Sequence, residues 1–180
     1  KEQVCRAIEE RFGVQLPTSP GLDTLACVER ANEGAMDLAL HLGGNLFGSC
    51  PDSAYARAAL GRIGMTVFLS TTLNTGHIHG RGGESLILPV LARDEEPQPT
   101  TQESMFNYVR LSDGGRSRLE GPRSEVQVIA ALARLALADP SAPPPLDFDS
   151  MERHGDIRAA IAAVIPGYGA IGQIDQTRRE

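Results

Sequence analysis

Three short apolar runs, each stopping at small or polar residues, limit what this chain can fold into. They are Leu38-Ala39-Leu40-His41-Leu42 before Gly43-Gly44-Asn45, Val67-Phe68-Leu69 before Ser70-Thr71, and Ser85-Leu86-Ile87-Leu88 before Pro89. Asp52 to Ile63, between the first two, reads as a helix. The runs therefore read as strands of a parallel α/β sheet whose turns gather at their carboxyl ends. Such a sheet binds ligands in the crevice at those ends.

A chain of 180 residues suits one domain, or one domain with an appendage, and can bury a substantial core. No apolar run approaches the roughly 20 residues that cross a bilayer, so membrane insertion is not expected. No signal-peptide pattern is present. The chain begins at Lys1 and ends in the polar stretch Asp175-Gln176-Thr177-Arg178-Arg179-Glu180; both ends look cut, as in a piece of something longer. The net charge of -6, with basic residues scattered among acidic ones, argues against nucleic acid as a partner. With no Trp and 4% aromatic residues, base-stacking platforms are not expected either. Cys5, Cys27 and Cys50 match neither zinc nor iron–sulfur spacing and are odd in number, which suits idle thiols in a reducing cytoplasm.

Val4, Ile8 and Phe12 recur at helical spacing before Gly13, giving a helix over residues 2–12. A second helix is expected from Leu22 to Asn32, with Leu25 and Val28 inward and Gly34 at its end. Met36, Leu38, Leu40 and Leu42 then alternate as a strand requires. A loop through Gly48, Ser49 and Pro51 leads into the helix bearing Ala54, Ala58, Ala59 and Ile63, whose alanines suit close packing on a sheet. Thr66 to Leu69 form the second strand, Thr71 to Glu84 a polar loop, and Leu86 to Leu88 the third strand. The acidic, proline-rich segment Asp94 to Thr101 reads as surface, Met105 to Leu111 as extended, and Asp113-Gly114-Gly115 as a turn.

Ser124 and Gln127 are spaced as a capping box, ahead of a helical stripe of Val126, Ile129, Ala130, Ala133 and Leu137. Pro140 and Pro143 to Pro145 stiffen a linker. A last helix, about Asp149 to Ile165, carries Ile157, Ile161, Val164 and Ile165. The fold class is α/β, three-layer αβα with a mostly parallel, Rossmann-like sheet. Residues 1–138 read as the α/β domain, 139–146 as a Pro-rich linker, and 147–180 as a C-terminal helix and tail packing on the same domain.

Gly43, Gly44 and Asn45 at a strand end are the best candidates for ligand contact, since glycines let a phosphate or sugar approach the backbone and Asn both donates and accepts. An ordinary tight βα turn explains the same triplet. It is not a dinucleotide fingerprint and lacks the P-loop lysine. Ser70, Thr71, Thr72, Asn74 and Thr75 offer hydroxyls and an amide to a ribose or phosphate, or else cap a short helix. His77 and His79 have no third ligand arranged with them, so neither reads as a metal ligand. Arg81, among glycines, suits a phosphate or partner contact, or a solvated charge. Glu125 in the first turn of a helix is stabilised by the helix dipole; alternatively its two oxygens suit the paired donors of a guanine edge. No nucleophile–base–orienter arrangement is visible.

The order of these parts resembles the second half of the dinucleotide-like cofactor domain of molybdopterin oxidoreductases, related to formate dehydrogenase and dimethyl sulfoxide reductase. The corresponding pieces are Gly43-Gly44-Asn45-Leu46, Leu69 to Thr75, Glu84-Ser85-Leu86-Ile87-Leu88-Pro89 and Pro122-Arg123-Ser124-Glu125, over roughly residues 20–170. Leu73-Asn74-Thr75-Gly76-His77 and Leu86-Ile87-Leu88-Pro89, with Arg123-Ser124-Glu125, are most similar to the formate dehydrogenase-like branch of oxidoreductase alpha subunits. The resemblance implies a molybdenum or tungsten ion held by two molybdopterin guanine dinucleotides, one lying across this domain. Gly43 and Asn45 would face the cofactor, with Gly44 between them. Ser70 lies beside Thr71 and Thr75, which would contact ribose or phosphate, and Glu125 would read guanine. Thr71 stands where the family has an acid, and Gly44 and Leu46 where it has Glu and Pro. The family's metal ligand, iron–sulfur cysteines and C-terminal β-barrel have no counterpart here. The resemblance thus implies a cofactor-binding domain that does not turn over alone, whose partner is the rest of a parent polypeptide, with any iron–sulfur cluster elsewhere in that parent. The residues also suit a free-standing nucleotide- or sugar-phosphate-binding module, or a transferase in which Arg81 holds a phosphate.

Overall fold

The computed structural model describes residues 1–105, 108–139 and 141–177. The chain is a mixed α/β protein with a three-stranded parallel, Rossmann-like sheet and several helices, the class read from the strand runs. It divides into two compact units, Ser19–Val90 and a second made of Lys1–Thr18 with Leu91–Glu180.

In the unit Ser19–Val90, the glycine-free stretch ahead of Glu33 forms a helix over Thr24–Asn32, started by Asp23, whose side chain accepts from Ala26 N at 2.8 Å. In chain order from the N-terminus we label Glu2–Phe12 α1 and this helix α2. Strand β1 follows at Leu38–Leu42, then two short helices, α3 at Leu46–Ser49 and α4 at Ser53–Leu60. Strand β2 runs Met65–Ser70, α5 covers Gly76–His79, and β3 runs Glu84–Pro89. The sheet order is β1-β2-β3, parallel throughout, with Leu38 opposite Met65 and Leu42 opposite Leu69, and Val67 opposite Leu86. Parallel neighbours need a crossover between them. The segment holding α3 and α4 supplies it for β1 and β2.

Ala31, Phe47, Ala56, Leu60 and Ile63 form the core of this unit, and Ala39 packs against them from β1. Of the alanines expected to pack closely, Ala59 is fully buried, as is Ala56, whereas Ala54 and Ala58 are exposed. Leu25 departs from expectation. Val28 and Ala31 make the buried stripe of α2, and Leu25 stays exposed. The segments 46–49 and 76–79 read as loops in sequence but close single helical turns, because Asn45 caps the first through Gly48 N and Asn74 turns the chain into the second. Such turns are too short to show a helical period.

The second unit holds α1 and, from Leu91, a 3₁₀ turn at Arg93–Glu95 and the antiparallel pair β4 (Thr100–Glu103) and β5 (Val109–Ser112). Helix α6 spans Glu125–Ala136 and α7 His154–Val164, with a final turn α8 at Ile174–Thr177. The expected capping box is present: Ser124 Oγ accepts from Val126 N at 3.2 Å, and Ser124 N donates to Gln127 Oε1 at 3.2 Å. Of the stripe on α6, Ala130 is buried whereas Ile129 and Leu137 are exposed. The extended reading of 105–111 is met by β5 in part; Phe106 and Asn107 lie outside the described residues, as do Pro140 of the expected linker and Arg178 to Glu180 of the polar tail. Within 139–146, Asp139 and Ala142 form an isolated bridge. The last helix starts later than expected, after a 3₁₀ turn at Ser150–Glu152, and residues 169–177 are helical turns rather than a plain tail.

The largest departure is Glu96. An acidic, proline-rich segment reads as surface, yet Glu96 is buried, its carboxylate 3.8 Å from His154 Nε2 and its carbonyl bound by Gly115 N. Gln98 and Pro99 extend the same contact: His154 N donates to Gln98 Oε1, and the Pro99 carbonyl accepts from His154 Nδ1 and from Arg158 Nη1. Arg158, also buried, pairs with Asp175. α7 therefore meets this segment with polar side chains, which hydrophobic periodicity cannot show.

Thr66 explains how β2 tolerates a hydroxyl at its fully buried centre. Its Oγ1 accepts from Gly82 N at 2.9 Å, and a Cβ on Gly82 would lie 2.3 Å from the Ile63 carbonyl, so the loop passes at backbone contact distance. Thr66→Val keeps the volume but strands that buried N–H, at an expected cost of about 1–3 kcal/mol. Thr66→Ser, retaining the acceptor, should unfold in urea at a higher midpoint than Thr66→Val; equal midpoints would show that the bond contributes nothing.

Candidate functional site

The carboxyl ends of β1 and β2 carry two loops that the structure ties together. β1 leads into Gly43, whose N–H continues the parallel ladder to the Leu69 carbonyl at 2.8 Å. Gly43 and Gly44 then adopt φ of 64° and 72°, two successive left-handed residues that L side chains rarely match. A Cβ at either would meet nothing within 4 Å. The glycines are thus required by conformation rather than crowding, and they leave backbone facing open space.

Asn45 begins α3 and reaches across to the second loop. Its Oδ1 accepts from Gly48 N at 2.8 Å while its Nδ2 donates to Thr75 Oγ1 at 2.9 Å. Asn74 returns the link: its Nδ2 donates to the Gly44 carbonyl at 3.0 Å, and its Oδ1 accepts from Gly76 N at 2.8 Å. A Cβ on Gly76 would lie 2.7 Å from Asn45 Oδ1 and 3.0 Å from Asn74 Oδ1, so the loops meet closely. Of the residues singled out in sequence, Gly43, Gly44, Asn45 and Thr75 come together here with Asn74. Thr75 keeps its O–H and Asn45 its second amide hydrogen for another acceptor, since each group has more than one bonding capacity.

Ser70, nearly buried at the end of β2, donates to the Thr72 carbonyl at 2.8 Å and shapes the turn. Thr71 and Thr72 are exposed. Beneath the loops, Phe68 stacks on His41 with ring centroids 4.9 Å apart and meets His77 edge-on at 4.7 Å. His77 Nδ1 accepts from Asn74 N at 2.8 Å. The His77 ring therefore supports the Asn74 turn, a role that its neighbour His79 in the sequence tends to hide behind a metal pattern. The signal available was the Asn-Thr-Gly-His order, in which a ring nitrogen reaches back three residues to a backbone N–H. Burial, and then the neighbouring His77, hold His41 below the ordinary histidine value. Among the described residues no three His, Cys, Asp or Glu side chains stand together as a metal site would need, and no helix is long and apolar enough to cross a membrane.

Glu125 belongs to the other unit, as the first residue of α6. Burial and then Glu96 push its carboxyl above the ordinary glutamate range. Its proton is held more tightly folded than unfolded, so the stability this gives is full below the ordinary value of 4.5 and is lost as pH rises through the folded-state value. Glu125→Gln cannot ionise. Its thermal midpoint should therefore gain on that of the unsubstituted protein as pH rises from about 4 to about 7; a constant gap across that range would remove the burial penalty inferred for this carboxyl.

Chemically, the joined loops present hydroxyls, an amide and glycine backbone, which suit phosphate and sugar oxygens, and no nucleophile with a base beside it. No protein-family model matches the chain. In an alignment of 177 positions that covers 92% of the chain, it is 38% identical to a protein of Mycobacterium bovis named as an uncharacterized oxidoreductase, and equally to proteins of the same description from two strains of Mycobacterium tuberculosis. The match takes up 22% of each of those proteins. The chain thus spans about a fifth of the length of the curated relatives it matches, and it is similar to one segment of larger oxidoreductases.

Proposed function

We propose that this chain is the cofactor-holding part of a larger oxidoreductase, and that the loops 43–45 and 71–76 bind the sugar–diphosphate portion of a molybdopterin guanine dinucleotide. The observation that carries the reading is the pair of crossed hydrogen bonds, Asn45 to Thr75 and Asn74 to Gly44. They fix two strand-end loops against each other with backbone and hydroxyls turned to open space, at the place where open parallel sheets receive nucleotides. Similarity to proteins named as oxidoreductases supports a redox role. The order of motifs shared with molybdopterin enzymes supports this choice of cofactor.

The residues fit such a group. Two left-handed glycines with nothing near them leave their backbone open to a phosphate or sugar, in a conformation that L side chains rarely adopt. Thr71, exposed, and Thr75, with its hydroxyl proton free to donate, would hold ribose or phosphate oxygens. When bound, the molybdenum or tungsten ion of the cofactor exchanges two electrons with substrate. This chain's residues orient the nucleotide end and keep the loops from collapsing; they do not move protons. The assignment of Glu125 to a guanine edge is a proposal of its own, resting on the Arg-Ser-Glu helix start and on a carboxylate's fit to two parallel donors.

Calorimetric titration of the protein with GDP, the cofactor's guanosine diphosphate half, tests the reading, with ADP as control. GDP should saturate and ADP should not. Gly44→Val, at a positive φ, should weaken GDP and any ADP binding alike. Equal binding of the two nucleotides by the unsubstituted protein would replace the guanine reading with a generic nucleotide module, and unchanged affinity in Gly44→Val would remove the loops from the site.

A further inference from the structure

Among the described residues, the sheet of the unit Ser19–Val90 has a free edge at β1 and, beside it, a row of leucines that stays largely exposed. In a parallel pair, residues in register point the same way. Leu38, Leu40 and Leu42 therefore share a face with Met65, Val67 and Leu69 of β2 and with Leu86 and Leu88 of β3, while Ala39 and His41 face the other side. The helices lie on the Ala39 side, where the core cluster is. On the opposite side Leu38, Leu40 and Leu42 remain 58%, 47% and 55% exposed, and Leu86 43%, whereas Leu69 beside Leu42 is fully buried, so along β2 that face is already covered and the leucines of β1 are not. Parallel sheets are almost always covered on both faces, and leucines at alternate positions of one strand are what such a cover would bury.

The two edges differ in the same sense. β3 carries Glu84 at its start and Pro89 at its end, the kind of residues that blunt an edge against further pairing. β1 reads Leu-Ala-Leu-His-Leu, with no charge other than a histidine whose protonation burial opposes, and no proline. Among the described residues it pairs with β2 alone. A groove of about 540 Å³ runs along this open edge, from Leu22 and Cys27 past the leucines to Gly43 and Asn45. An unblunted apolar edge strand whose leucines stay exposed is the state of a sheet that continues.

We propose that further polypeptide of the same protein completes this sheet: a strand pairs with the free edge of β1, and its crossover helix lies on Leu38, Leu40 and Leu42. The length of chain beyond the matched segment in the relatives, more than three-quarters of each, supplies the occupant. The placement has a consequence for the site. With the β1-to-β2 crossover on one face and the added crossover on the other, the strand order reverses at β1, and the crevice of a reversing sheet opens outside the strand end at that point. That end is Gly43-Gly44-Asn45. This proposal rests on the reading of the chain as part of a longer oxidoreductase, not on which cofactor it holds.

The test compares the polypeptide of the complete reading frame with the chain 1–180. Leu40→Cys is treated with N-ethylmaleimide, and modification of the peptide holding residue 40 is followed by mass spectrometry. Amide exchange of Leu38–Leu42 in the unsubstituted proteins gives a second readout, independent of whether the variant folds. In the longer protein both reactions should be slower by roughly tenfold or more, at every protein concentration. Equal rates in the two proteins would overturn the proposal. So would protection of the chain 1–180 that grows with its concentration, since a second copy would then be the cover, and so would a reading frame with no polypeptide to add. Protection in the longer protein without GDP binding would leave this proposal standing and sink the nucleotide reading alone.

Discussion

The hydrogen-bond demand of the central strand sets the terms for everything around the candidate site. β2 is paired on both sides, so its backbone is satisfied, but its inward side chains must be satisfied too. Thr66 finds its partner in Gly82, which draws the loop before β3 to backbone contact with Ile63. At the other end Ser70 closes the turn that leads to Thr71, and Val90 N binds the Ser70 carbonyl. Phe68, between them, brings His41 and His77 to its ring. From that aromatic layer His77 reaches back to Asn74, and Asn74 reaches Gly44. The strand-end loops are thus coupled to the sheet through a chain of specific polar bonds rather than through packing alone.

That coupling shows why asparagines and threonines occupy these loops in place of charged residues. An ion pair at the same position would be attracted at several distances and angles, whereas an amide must meet both a donor and an acceptor in plane. Asn45 and Asn74 each bind one partner inside their own loop and one across the gap. The glycine pair then needs no side chain of its own to be held. A loop fixed in this way would meet the proposed nucleotide without first ordering itself, which would remove part of the entropic cost of binding.

How much of this could be read from residues follows from the length scale of each signal. The strands were legible because alternation over Leu38, Leu40 and Leu42 and the apolar run at Val67 to Leu69 repeat within a few residues. The α4 helix was legible by its alanines, and the start of α6 by Ser124 and Gln127. Position and chemistry single out Gly43, Gly44, Asn45 and Thr75 one at a time; that Asn45 touches Thr75 is a contact between residues 30 apart in sequence, which no local pattern encodes. α3 and α5 are single turns and have no period to detect. Glu96 and Arg158 were illegible for another reason: a charged side chain announces exposure unless its partner is known, and the partners, His154 and the Pro99 carbonyl, lie more than fifty residues from one or the other.

The alternating leucines carried a second meaning that only their exposure reveals. Alternation in a strand says that its two faces differ; it does not say which face this chain itself covers. In β1 the small residue Ala39 faces the core of the unit, while the large leucines face outward. A chain that had to bury its sheet alone would put the larger apolar area inward, because the gain scales with the area removed from water. The β1 leucines are the apolar area that the proposed completion of the sheet would bury. In the proposed completed sheet β1 is an interior strand, and Gly43-Gly44-Asn45 lies at the centre of the carboxyl edge rather than at its margin.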